Sequence, residues 1–238
     1  MKTKVLKSIV FSCFFLFSVS VPQLKAQDCK YFYPTKKGTE LVYTSYDKKG
    51  RKDAVQTQKV VDNKQVGNAS VFVIEQTLKA QDKNEKDIKT SFEVKCVDGK
   101  FYLNMDDFTK GINLDQYRQN PDMAVVVKSD ELFIPSDLSV GATLPAGEVN
   151  VDVTVSGIPM FTTNVQVKDR KVETRETITT TAGSFDCFKI SADVITKSMM
   201  TIESKTIQWI AEGVGVVKTE TYTKGKLAGS QVLTKITK

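Results

Sequence analysis

The 238-residue chain has no histidine. That removes the one side chain whose ordinary pKa lies near neutrality, and with it imidazole general bases, imidazole metal ligands and proton switches near pH 7. Cysteine is scarce, at four residues, and no Cys-x-x-Cys occurs, so a zinc site lacks closely spaced ligands and a catalytic thiol lacks its usual base. Proline, glycine and serine form no tract, and there is no long charge block and no repeat of fixed period. No linker divides the chain. What is present is 40% hydrophobic and 26% charged residues, the make-up of a soluble globular domain with a real core.

The one long apolar run lies at the start. Lys2, Lys4 and Lys7 precede Ile9 to Val21, and the run closes at Pro22-Gln23-Leu24-Lys25-Ala26. A basic head, a short apolar stretch and a small residue at the end form a secretory signal peptide, too short for the roughly 20 apolar residues of a spanning helix. Residues 1–26 are therefore read as the signal and 27–238 as a single exported β domain, with no transmembrane segment left after cleavage. Asp28 before Cys29 interrupts a lipidation signal, and Val10-Phe11-Ser12-Cys13 follows too short an apolar stretch, so lipidation is the minor reading. Removing the four leader lysines lowers the formal net charge from +6 to +2. Lysines then alternate with acids and threonines, without the basic stripe and interleaved aromatics of a nucleic-acid binder.

Period-2 alternation dominates the rest. In Val149-Asn150-Val151-Asp152-Val153-Thr154-Val155 every odd position is valine and every even one polar, so one face of a strand is buried and the other wet. Weaker versions recur at 39–46, 56–61, 71–78, 88–96, 100–105, 163–168, 172–180, 185–196, 201–210, 214–222 and 227–236, with turn residues such as Asp98-Gly99, Ala182-Gly183 and Lys224-Gly225 between them. Only Asp106 to Arg118 breaks the pattern, placing Phe108, Ile112 and Tyr117 near helical spacing. Residues 129–147, with Pro135 and Pro145, read as an extended connection. The expected fold is mainly β: a single curved antiparallel sheet forming a half-open barrel of roughly ten to twelve strands, with one short helix.

The mature chain keeps Cys29, Cys96 and Cys187, in a compartment where disulfides persist. Three pairings, or none, are open. A Cys29 to Cys96 bridge would pin the arm carrying Tyr31, Phe32 and Tyr33 to the sheet and stabilise by about 4 kcal/mol in the chain-entropy model. Cys187 sits in Phe185-Asp186-Cys187-Phe188-Lys189-Ile190, a strand apolar on both faces, and reads as core. Gly213-Val214-Gly215 lies between two strands with no helix following, so it reads as a turn or bulge and not as a phosphate loop. The adjacent acids Asp106-Asp107 could be offered for acid–base work, but at a helix start they read as helix-dipole partners. No catalytic residue, metal ligand or cofactor is expected. The segment Gly157-Ile158-Pro159-Met160-Phe161 is different, because it places apolar residues where a hairpin tip is normally polar. Such a tip either folds over an open barrel end or meets a lipid, an apolar ligand or another protein.

Three blocks together resemble a known family: Tyr33-Pro34-Thr35-Lys36-Lys37-Gly38-Thr39 with Tyr46-Asp47-Lys48-Lys49-Gly50; Asp169-Arg170-Lys171-Val172-Glu173 leading to Ala182-Gly183-Ser184-Phe185-Asp186-Cys187; and Gly213-Val214-Gly215-Val216-Val217-Lys218. They resemble exported domain-of-unknown-function proteins of Bacteroidetes-type bacteria. The resemblance implies a curved antiparallel half-barrel similar to that of periplasmic lipoprotein carriers, and supplies no catalytic residues. The expectation is a non-enzymatic cell-envelope protein, periplasmic before surface-exposed or secreted. It would hold a lipid or other apolar ligand, each buried methylene contributing about 0.8 kcal/mol, with Ile158, Met160 and Phe161 at the mouth. The alternative is an interaction module whose barrel is filled by its own side chains and whose partner is an envelope protein or glycan.

Overall fold

The computed structural model describes residues 29–80, 87–104 and 120–238. The expected signal peptide and the expected helix at 106–118 lie outside the described residues, and every regular element within them is a strand.

The chain begins with an arm, residues 29–39, that leads into β1 (Glu40–Asp47). An antiparallel meander follows: β2 (Lys52–Val66), β3 (Ala69–Ala80), β4 (Ile88–Val97) and β5 (Lys100–Asn104). Two short strands come next, β6 (Met123–Ser129) and β7 (Glu131–Pro135). A second meander completes the chain: β8 (Gly147–Val155), β9 (Ile158–Thr180), β10 (Gly183–Lys197), β11 (Thr201–Ala211), β12 (Gly215–Thr223) and β13 (Lys226–Thr237). All thirteen form one sheet in the order β6-β8-β9-β10-β11-β12-β13-β1-β2-β3-β4-β5-β7. The outermost strands, β6 and β7, are separated in the chain by Asp130 alone, so the sheet curves round until its edges meet, giving a nearly closed barrel. Asp130 anchors this seam, since its N–H donates to Glu148 O at 2.8 Å and its carboxylate accepts from Glu148 N–H at 3.0 Å.

The strand count differs from expectation for two reasons. The segments 163–168 and 172–180 are one strand, β9, because the break between them is a bulge at Asp169 (φ 52°) across which pairing with β10 continues. Conversely, 123–129 and 131–135 pair with β8 and β5 as edge strands, where Pro135 at a strand end is tolerated. The alternation in β8 does what its sequence implies: Val149, Val151 and Val153 are all buried. Tight turns also follow the sequence. Asp98-Gly99, Ser156-Gly157 and Lys224-Gly225 each have two successive positive φ values, the geometry that matches the twist of paired strands.

The main core fills one end of the barrel. Leu41, Tyr43, Val60, Ile74, Val94, Phe101, Ile134, Ile190, Ile210 and Leu233 point inward from nine strands, and Phe32 and Tyr33 of the arm plug the space between them. Cys29 and Cys96 are disulfide-bonded with Cα atoms 6.1 Å apart. The arm is held further by Gly213 N–H donating to Tyr31 O at 2.7 Å. A Cβ on Gly215 would stand 3.3 Å from Phe32 O, so the Gly213-Val214-Gly215 turn is the arm's seat. A second core, around Val149, Val151, Val153 and Val167, lies under β6 and β8 to β10.

Candidate functional site

Three places could carry a function: the barrel interior, a groove on its outer face, and the hairpin end.

Away from the aromatic core the interior changes character. Gln56 and Gln58 share the inward-facing alternation of Val60 on β2, and pairing carries the same face to Gln76 on β3, Gln231 on β13 and Gln208 on β11. Their amides form a belt. Gln56 and Gln58 both donate to Gln76 Oε1, at 2.6 and 3.0 Å, Gln231 donates to Gln56 Oε1 at 2.9 Å, and the Tyr33 hydroxyl donates to Gln58 Oε1 at 2.7 Å. Burial pushes the Tyr33 and Tyr43 hydroxyls well above the ordinary phenol range, so both stay neutral hydrogen-bonding groups. The cavity enclosed here is about 180 Å³ and is lined by Phe32, Tyr33, Phe101, Gln58, Gln208 and Gln231 among others. Ligand pockets more often measure roughly 300–1,000 Å³.

The larger depression, about 590 Å³, lies on the outer face of β9 to β12 and mixes Glu173, Asp193 and Glu203 with Lys168, Lys205 and Tyr222. A carboxyl acting as a general acid near neutrality needs its pKa raised. Glu173 moves the other way, held below the usual range by the Ser191 hydroxyl and then by Lys189. Beside the groove, Trp209 is buried with Cys187, Ala211 and Val217. Its indole N–H donates to Glu176 Oε1 at 2.6 Å, with the Lys218 and Lys189 ammonium groups 4.8 and 5.7 Å from the ring centre. Cys187 is the free thiol among the described residues, fully buried, and burial followed by the neighbouring Asp186 pushes it up to about 11. A reactive cysteine needs the opposite shift.

Arg170 is also buried, and donates through Nη1 to Pro145 O at 2.9 Å and Phe133 O at 3.3 Å. Burial lowers it to about 10, still charged at neutral pH. Both acceptors are backbone carbonyls, so its role is to clamp the connection between β7 and β8 onto β9. Among the described residues no three or more acids or cysteines stand together as metal ligands, and no helix is long and apolar enough to cross a membrane.

The hairpin end holds the sequence-predicted residues. The β8–β9 turn is only Ser156-Gly157, so Ile158, Met160 and Phe161 belong to the start of β9. Ile158 is 70% exposed and Met160 53%, while Phe161 is half-buried against the Val149 to Val153 core. The segment does not fold over the barrel mouth. Sequence reading missed two further exposed apolar residues at the same end, Met199 (98% exposed) and Met200 (73%), in the β10–β11 hairpin. The available signal was the same as at Ile158: apolar residues in a turn. It missed the glutamine belt too, although the parity shared with Val60 was there to be read.

A model of the DUF3108-like family matches residues 36–233. Among solved structures, the chain is similar to a Bacteroides fragilis protein described as exported, with a YmcC-like fold (TM-score 0.70, 23% identity, 88% of this chain and 100% of that one). It is similar as well to a Parabacteroides distasonis protein described as a lipoprotein (TM-score 0.71, 23% identity, 89% of this chain and 100% of that one). No curated relative matches.

Proposed function

The chain belongs to the DUF3108-like family, and from that premise we propose that it is a non-enzymatic, exported cell-envelope protein that acts through contacts made by its outer surface. The observation that carries this reading is the filled interior. Phe32 and Tyr33 of its own arm occupy the position an apolar ligand would take, and the remaining space is small and crossed by hydrogen-bonded glutamine amides. An acyl chain placed there would separate these amides, at a desolvation cost of roughly 1–3 kcal/mol for each group left unpaired. Export fits the disulfide, the leader-like N-terminus and the descriptions of the two similar structures.

The test is native mass spectrometry of residues 27–238 purified without detergent from a Gram-negative periplasm, with lipid analysis of its organic extract. A clean protein mass supports the filled barrel. A defined lipid that leaves on denaturation would favour the other reading, in which the interior opens to hold an apolar ligand with Ile158, Met160 and Phe161 at its mouth.

A further inference from the structure

We propose that the end of the barrel carrying the β1–β2, β8–β9, β10–β11 and β12–β13 hairpins docks on an anionic lipid bilayer. The antiparallel register places these four turns at the same end, opposite the end where Cys29, Tyr31 and Gly213 fix the arm. Ile158, Met160, Met199 and Met200 project there into water, at or beside hairpin turns where polar residues are usual. The same four turns are strongly basic. Lys48, Lys49 and Lys52 flank the first, Lys197 the third, and Lys224 and Lys226 the fourth, all exposed. Among the described residues the carboxylates nearest these turns are fewer: Asp47 is held by Arg51 through Nε at 2.8 Å and Nη2 at 2.6 Å, while Asp53 follows Lys52 and Asp122 lies beside Ser156, so the basic groups remain in excess.

Apolar tips and lysines at one end match an acyl boundary covered by anionic headgroups: the apolar groups enter, and the ammonium groups reach the phosphates on flexible stems. An acidic protein would satisfy the charge alone. The apolar groups favour lipid, because they are carried by separate hairpins and three of the four are unbranched methionines. Such groups enforce no fixed register with a partner chain, and a fluid headgroup layer needs none. This docking is independent of what fills the barrel, so it can fail while the filled-barrel reading stands, and the converse.

The experiment is co-sedimentation of the mature protein with vesicles of phosphatidylethanolamine and phosphatidylglycerol, and with vesicles of phosphatidylcholine alone. Expected is at least about tenfold tighter binding to the anionic vesicles, weakened by high salt. Met199→Asp with Met200→Asp, and separately Lys224→Glu with Lys226→Glu, should each lower that binding about tenfold at unchanged melting temperature, whereas Val66→Asp at the opposite end leaves it unaltered. Three results would overturn the proposal: no binding to either vesicle, binding insensitive to the methionine variant, or loss with Val66→Asp as large as with the hairpin variants. A partner protein crosslinking to the Met199 hairpin without vesicle binding would overturn it in favour of a protein contact.

Discussion

At the end of the barrel where the arm enters, Phe32 and Phe101 meet edge to face with ring centres 6.3 Å apart, and Tyr31 and Phe72 at 5.4 Å. At the hairpin end, Met199 is almost wholly in water. Between them lies the glutamine belt, where the same inward-facing positions change from aromatic and aliphatic side chains to amides. One sheet thus supports two regimes. Below the belt, inward residues exclude water and hold the strands by packing. Above it, β6 and β8 to β10 still pack around Val149, Val151 and Val153, whereas β1, β2 and β13 are held by their ladders and by amide-to-amide bonds, and the residues of the turns themselves are free to be chosen for what they meet outside. The exposed turn residues at the hairpin end take little part in this packing, so substitutions among them should leave the arm end nearly untouched, and the converse.

The most severe way to break that division is to open the disulfide. Cys29→Ser should lower the unfolding free energy by about 4 kcal/mol in the chain-entropy model, read from urea midpoints, and reductant should do the same to the wild type. A core truncation comes next. Leu233→Ala, at a fully buried position between β1 and β12, should cost about 3 kcal/mol with an unchanged m-value. At the belt the effect shrinks: Tyr33→Phe removes the bond to Gln58 and should cost about 1 kcal/mol. Smallest is the hairpin end, where Met199→Ser with Met200→Ser should shift stability by less than about 0.5 kcal/mol. A loss of several kcal/mol there would erase the contrast between the two ends.

How legible each part was follows from how local its cause is. The valine alternation of β8 and the Asp-Gly and Lys-Gly turns are set by neighbouring residues, and the structure follows them. The Cys29–Cys96 bridge was one of several open pairings, since its choice rests on where the arm lands 67 residues away in the chain. Asp169 imitates a turn because a bulge and a turn both use a positive φ; only the partner strand β10 distinguishes them. Edge strands β6 and β7 were missed because they are short and lean on strands distant in sequence. At the candidate site, Ile158 and Met160 were found by their chemistry. Met199, Met200 and the lysines brought to the same end by register needed the sheet order to be seen together.

That order has a consequence for how the chain must assemble. The seam of the barrel falls in mid-chain, at Asp130, whereas the first strand is zipped to the last, Glu40 opposite Thr237 and Asp47 opposite Gly229. Neither meander can close its core alone. Until residues 226–237 arrive, β1 and β12 remain open edges able to pair with any passing strand, and the contacts that end this exposure span nearly the whole sequence, a topology that folds slowly. Delivery of the complete chain before folding begins, as secretion in an extended form provides, is the circumstance in which such a barrel is least exposed to misassembly.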